Sequence, residues 1–247
     1  MSDILMMQGL WWAPVIVVLI ALVAMKRVEL HLGWLVAAIL VYTVYTLVVM
    51  KAPMLGAIAS LNEGRNFNWG GKIAGVLASL AMLVVAVRLA GARLADAGLT
   101  LKQREGSLMP ALIATGAMVA LMVVLQLLAN DGPKASAEAL AFQATLPGLD
   151  EELFFRGLLL FLVMAAVVPL RRKPDPARFG WAAIIVTLLF TVGHSFFVSG
   201  GDVSFDPVIF AYVAILGGLL MYIRVRTGSI LIPVIAHNLT NVVGHLI

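Results

Sequence analysis

The sequence has no cysteine and very little charge: 12% of its 247 residues are Asp, Glu, Lys or Arg, against 62% hydrophobic. The first absence removes disulfides, thiolate metal ligands and a thiol nucleophile together, so chemistry must come from His, carboxylate, hydroxyl or Lys side chains. The second excludes a water-soluble globule, for which about 25% charge is usual. Basic residues are also missing ahead of the first apolar run, Leu10 to Met25, which has Asp3 before it and Lys26-Arg27 behind it. That polarity is wrong for a cleaved signal peptide, so the run reads as a retained helix. No internal repeat or low-complexity tract is evident.

What is present is a series of long apolar stretches ended by charge, Pro or Gly, near 9–25, 30–50, 73–91, 108–129, 149–170, 180–198, 207–223 and 229–247. At ~20 residues per crossing, eight spans use about 160 residues and leave only short loops, with no room for a separate soluble domain. Spanning strands are disfavoured, because the runs are about twice the 9–11 residues of a membrane strand and lack alternation. The expected fold is all-α: a polytopic membrane helical bundle of about eight transmembrane helices. It forms one membrane domain over 1–247, with N-terminal helices in 1–129 and a C-terminal core in 149–247.

The net charge of +4 does not point to nucleic acid, because the Lys and Arg residues cluster between apolar runs. Lys26, Arg27, Arg88, Arg93, Lys102, Arg104, Arg171, Arg172, Lys173, Arg178, Arg224 and Arg226 fall on one side of the bilayer. Lys51, Arg65, Lys72 and Lys134 fall on the other. The positive-inside rule then places both termini outside the cytoplasm of a cell-membrane protein. Two outer connections are long. In one, Met54 to Leu61 could lie at the interface before a polar turn and an interfacial Trp69. In the other, Ser136 could cap a short helix through Thr145 before Pro147-Gly148 breaks it.

Three polar islands interrupt the C-terminal spans. The fifth opens Asp150-Glu151-Glu152-Leu153-Phe154-Phe155-Arg156-Gly157, although an ionisable group at mid-bilayer costs at least ~2.5–3.5 kcal/mol on insertion scales and is a functional suspect by default. Glu152 and Arg156, four apart on one face, can pair and leave Glu151 rotated by about 100° and free. The sixth span carries His194 after Phe190, and the eighth carries His237 and Asn241 on one face. At 1.5 Å per residue, Glu151, His194 and Asn241 all fall roughly 5–10 Å from the outer boundary, with His237 about one turn deeper. A structural ion-pair network is the plain alternative for the acidic cluster alone, and a packing His for His194 alone. Placement of all three islands at one depth favours a shared site.

A glutamate flanked by a histidine can take a proton from water and make a nucleophile for an amide carbonyl. A second histidine with an asparagine can donate hydrogen bonds to the developing oxyanion. Peptide hydrolysis fits these parts. Alternatively Glu151, His194 and His237 could ligate zinc, which would activate the water instead, although no H-E-x-x-H helix motif is present.

At these residues the sequence resembles a known family. Glu151-Glu152-x-x-Phe155-Arg156-Gly157, then Phe190-x-x-x-His194, then His237-x-x-x-Asn241 is similar to the three-motif signature of the CPBP intramembrane proteases, which include type II CAAX prenyl endopeptidases and bacterial relatives linked to bacteriocin processing and immunity. The resemblance spans Glu151 to the C-terminus. It implies that Glu151 and His194 activate water, that His237 and Asn241 form the oxyanion site, and that Glu152 and Arg156 support them. It leaves a metal-free and a zinc mechanism both open.

The expected partners are the lipid bilayer and a peptide or protein substrate, with no nucleic acid. Because the charge count turns the site outward whereas eukaryotic prenyl endopeptidases face the cytosol, the favoured substrate is a leader peptide or membrane-anchored segment rather than a cytosolic prenylated tail. Two rivals are a non-catalytic immunity or scaffold protein that keeps the motif for folding, and a proton-coupled transporter, against which the sequence has neither inverted-repeat symmetry nor paired broken helices. His31, His245 and Arg88 read as interfacial, and Gly217-Gly218 as a site of close helix packing.

Overall fold

The computed structural model describes residues 2–129, 135–170 and 180–247. Lys134, Arg171, Arg172, Lys173 and Arg178, used in the charge count, lie outside the described residues. Each of the eight apolar runs contains a helix: α1 (Ser2–Ala24), α2 (Leu32–Lys51), α3 (Trp69–Leu89) and α4 (Leu108–Ala129) in the first half. A short connecting helix α5 (Ala137–Gln143) follows. Then come α6, which runs from Leu146 to Ala166, α7 (Trp181–Ser195), α8 (Pro207–Thr227) and α9 (Leu231–Leu246).

Five of these helices are long and apolar enough to cross a membrane: α1, α2, α3, α4 and α8. Their outward faces carry exposed Leu, Ile, Val and Met, such as Leu5, Ile20, Leu112 and Ile113. Backbone groups paired within each helix and apolar side chains turned outward are what a hydrocarbon surround requires. Against the expectation of about eight spans, the described residues give five that meet this criterion. The other three, α6, α7 and α9, are those that carry the polar islands: α6 holds four ionised-type residues in its first half, and α7 spans 15 residues, or about 22 Å against a ~30 Å hydrocarbon core.

Helix α6 occupies the centre, packed against α2, α3, α7 and α9. It is not a uniform α-helix: Leu146–Glu151 and Leu160–Ala166 flank a π-helical stretch, Glu152–Leu159. There the Leu160 N–H reaches back to the Phe155 carbonyl, the i→i+5 bonding of a widened turn that is frequent at functional sites. An aromatic tier fixes this stretch. Tyr45 stacks on Phe154 with ring centroids 3.7 Å apart, and Phe155 meets Phe190 edge-on at 5.0 Å.

Several boundaries differ from the sequence reading. The 149–170 run leaves its helix at Ala166, where β2 (Val167–Pro169) pairs antiparallel with β1 (Val28–Leu30). The 180–198 run ends its helix at Ser195, and β3 (Phe196–Ser199) turns through Gly200-Gly201 into β4 (Asp202–Phe205). Both glycines have positive φ, 61° and 91°, as a two-residue hairpin turn matching strand twist demands. Ser136 does cap α5, its side chain accepting from the Ala139 N–H. Pro147 and Gly148, however, do not follow it as a break: they start α6, where a proline lacking its N–H is tolerated in the first turn. Gly217 does permit close packing, since a Cβ there would meet Phe190 Cδ1 at 2.9 Å, whereas a Cβ at Gly218 would meet nothing within 4 Å.

Candidate active site

Three adjacent carboxylates at the head of α6 point to three different environments. Glu152 is fully buried and pairs through Oε1 with Arg156 NH1 at 2.9 Å. Arg156, also fully buried, donates from NH2 to the Gly217 carbonyl at 3.1 Å and lies 4.0 Å over the Phe190 ring. Glu151, one position earlier and turned away, faces a cavity of about 290 Å³. Asp150 is fully buried and meets Tyr45, whose hydroxyl donates to Oδ2 at 2.7 Å.

His194 sits in the last turn of α7. Its Nδ1 lies 2.7 Å from the Phe190 carbonyl, and its Nε2 lies 3.5 Å from Glu151 Oε2. His237, on α9, places Nδ1 2.8 Å from Glu152 Oε1 and Nε2 4.0 Å from Glu151 Oε2. A carbonyl and a carboxylate only accept, so both Nδ1 atoms carry the hydrogen. A neutral ring at either position therefore turns its Nε2 lone pair toward Glu151, and donation from Nε2 requires the imidazolium. One turn beyond His237, Asn241 Nδ2 donates to Gln143 Oε1 at 3.0 Å, leaving its second amide hydrogen unassigned.

Glu151, His194, His237 and Asn241 all line the one cavity. The sequence reading thus finds its residues together: these four around the space, Glu152 and Arg156 buried behind it. Two motif aromatics acquire a physical role as well. Phe190 supplies the carbonyl that holds His194 and the ring beneath Arg156, and Phe155 braces Phe190. Met118, Phe142, Tyr212, Leu216 and Leu220 add a largely apolar lining to the same cavity.

The zinc alternative fits this arrangement poorly. Ligand atoms of a tetrahedral site with bonds of about 2.0–2.1 Å lie about 3.3 Å apart. The Glu151–His194 separation approaches that value, but the Glu151–His237 separation of 4.0 Å exceeds it, and the other Glu151 oxygen is held by Lys72 at 2.7 Å. Among the described residues no group of three or more His, Asp and Glu is placed to hold a metal ion.

Four contributors escaped the sequence reading. Lys72, assigned there to an outer loop, lies in the first turn of α3 and bonds both Glu151 Oε1 at 2.7 Å and Asp150 Oδ2 at 2.9 Å. Tyr45 and Gln143 carry no spacing signal, because their partners are 105 and 98 residues away. Asn238 ties α9 to the start of α6: its Oδ1 accepts from the Gly148 N–H at 2.7 Å and its Nδ2 donates to the Thr145 carbonyl. The islands themselves gave a readable hint, since Asn238 stands between His237 and Asn241. His245 bonds the Asn241 carbonyl and lies beside the Phe67 ring, and His31 stands before α2; neither lines the cavity.

Residues 132–243 match the family described as type II CAAX prenyl endopeptidase, Rce1-like, in agreement with the resemblance carried by the three motifs. The match covers all six candidate residues. No curated protein and no solved structure matches the chain.

Proposed function

We propose, taking the family match of residues 132–243 as the premise, that the chain is an intramembrane endopeptidase acting on a peptide bond of a membrane-associated or lipidated substrate. The observation that carries this reading is the convergence of Glu151, His194, His237 and Asn241 on one cavity, with Glu151 Oε2 3.5 Å from His194 Nε2. A water held between those two atoms gives its proton to Glu151 as its oxygen attacks the scissile carbonyl. The carbonyl oxygen, becoming an oxyanion, accepts from Asn241 Nδ2 and from His237 Nε2 when that nitrogen carries a hydrogen, the ring being held in place by Glu152 at Nδ1. Collapse of the tetrahedral intermediate breaks the C–N bond, and the proton taken up by Glu151 passes to the departing amine. Since the spacing of Glu151, His194 and His237 does not suit zinc, no step is assigned to a metal.

The apolar wall formed by Met118, Phe142, Leu216 and Leu220 suits an aliphatic or lipid-bearing segment beside the cleaved bond. The distribution of basic residues supports an extracytoplasmic position for the cavity. Lys72 drops out of the outer count, because it is an ion-paired helix residue rather than a loop charge. A leader peptide or membrane-anchored segment is then the substrate class favoured over a cytosolic prenylated tail.

The test compares new peptide termini in membranes carrying wild-type protein with those carrying Glu151→Gln at equal folded abundance. Termini present only with the wild type support the endopeptidase. Identical sets of termini would instead leave a non-catalytic member of the family, an immunity or scaffold protein.

A further inference from the structure

We propose that Lys72, from the N-terminal half of the chain, is a positioning residue for Glu151: its ammonium holds Oε1 and thereby turns Oε2 toward His194 and His237. The proposal rests on the endopeptidase reading above. Lys72 Nζ is 2.7 Å from Glu151 Oε1, whereas Oε2 of the same carboxylate is the atom 3.5 Å from His194 Nε2. The two oxygens are thus divided between a fixed cation and the reacting space. A carboxylate embedded among apolar helices needs an opposite charge at contact distance, and a strong, directed ion pair to one oxygen leaves the other with a defined orientation.

Lys72 is itself held. Its ammonium also contacts Asp150 Oδ2 at 2.9 Å, and the Tyr45 hydroxyl donates to that same oxygen at 2.7 Å. Tyr45 in turn stacks on Phe154 of α6. On α3, one turn after Lys72, Gly75 makes room for the anchor: a Cβ there would fall 2.4 Å from Asp150 Oδ1. Two carboxylates of α6 therefore hold an ammonium carried by α3, with Tyr45 of α2 fixing one of them, and the ammonium borders the cavity. Lys72 and Tyr45 both precede residue 132, so this support lies outside the segment that matches the family.

The experiment uses full-length protein in proteoliposomes and, as probe, a synthetic peptide spanning the most abundant Glu151-dependent cleavage site found in the membrane comparison. Lys72→Met is expected to lower kcat by about 100-fold or more with KM changed less than about threefold, the pattern of a lost orienting contact. Lys72→Arg, which keeps the charge, is expected to recover at least about a tenth of the lost turnover. Because removing Lys72 strands Asp150, the double variant Lys72→Met/Asp150→Asn removes both charges and is expected to fold as the wild type does while remaining slow. Wild-type turnover in that double variant, or in Lys72→Met alone, would overturn the proposal, since Lys72 would then do no more than neutralise Asp150. Absence of any Glu151-dependent cleavage would overturn the endopeptidase reading and the Lys72 role with it. Activity in the wild type with unchanged kcat in Lys72→Met overturns the Lys72 role alone.

Discussion

Glu152 Oε1 is shared by His237 and Arg156, with His237 Nδ1 at 2.8 Å and Arg156 NH1 at 2.9 Å. One buried carboxylate oxygen therefore joins the guanidinium of its own helix to the imidazole of another. Loss of its charge leaves the buried Arg156 guanidinium without its counter-ion. Glu152→Gln is expected to destabilise the fold by about 3–5 kcal/mol, as when one partner of a buried pair is removed. Glu151→Gln, at the cavity wall, should leave the melting temperature nearly unchanged. Thermal melting of both variants in detergent checks the contrast, and equal losses would mean that the two carboxylates do not divide their tasks.

Asn241→Ala removes a candidate oxyanion donor and the bond to Gln143. Turnover is expected to fall about 10²–10³-fold, the usual consequence of deleting one such donor. KM should move little. Gln143→Ala, which only frees the amide, should cost far less turnover, and initial-rate kinetics on the two variants decide the order.

Gly75→Ala places a methyl group 2.4 Å from Asp150 Oδ1 and 2.9 Å from Val49 Cγ2. The buried Asp150 carboxylate and the Val49 side chain must shift to accept it, an overpacking effect of about 1–3 kcal/mol. A lower melting temperature accompanied by reduced cleavage is expected, because the displaced carboxylate carries Lys72 with it. Gly218→Ala, in open space, serves as the neutral control.

Glu138 of α5 accepts from the Asn66 N–H at 2.9 Å, from Asn66 Nδ2 at 3.0 Å and from the Trp69 indole at 3.2 Å. Burial raises its pKa, but the donated hydrogen bonds, led by the Asn66 N–H, outweigh that effect and hold it below the ordinary glutamate value of 4.5. A lowered folded-state value means that the contribution is fully present above the unfolded value and fades as pH falls through the folded one. Hydrogen exchange in the 62–69 connection should thus accelerate below about pH 4.5 in wild type. Glu138→Gln should exchange quickly at all pH values; a pH-independent wild type would refute this role of Glu138.

A chelator should leave cleavage intact, because the Glu151–His237 separation of 4.0 Å and the Lys72 contact ill suit a zinc site. Purified protein assayed before and after dialysis against EDTA gives the answer. Activity that vanishes and returns with added zinc would reinstate the metal route.

The legible and illegible parts of the site separate by sequence distance. Glu152–Arg156 and His237–Asn241 could be placed because i,i+4 spacing fixes a shared helix face, and the common depth of three islands brought distant helices together. Lys72 could not, since a basic residue just past a polar turn has the same appearance whether it marks membrane orientation or reaches a carboxylate 79 residues later. The π-helical stretch was equally hidden: i,i+4 neighbours stay close in either helix, so the periodicity is silent about the wider turn. The β3–β4 hairpin did leave a mark in Gly200-Gly201 between β-forming residues, overridden in the sequence reading by the apolar run before it.

The polarity of α6 and the shortness of α7 and α9 bear on how the chain is made. A nascent segment headed by Asp150, Glu151 and Glu152 is a poor client for autonomous partitioning from the translocon into lipid, whereas α1 to α4 can partition unaided. Those four emerge from the ribosome first. The early helices would then offer a prebuilt berth, with the ammonium of Lys72 and the hydroxyl of Tyr45 waiting to receive the acidic helix head as it is synthesised.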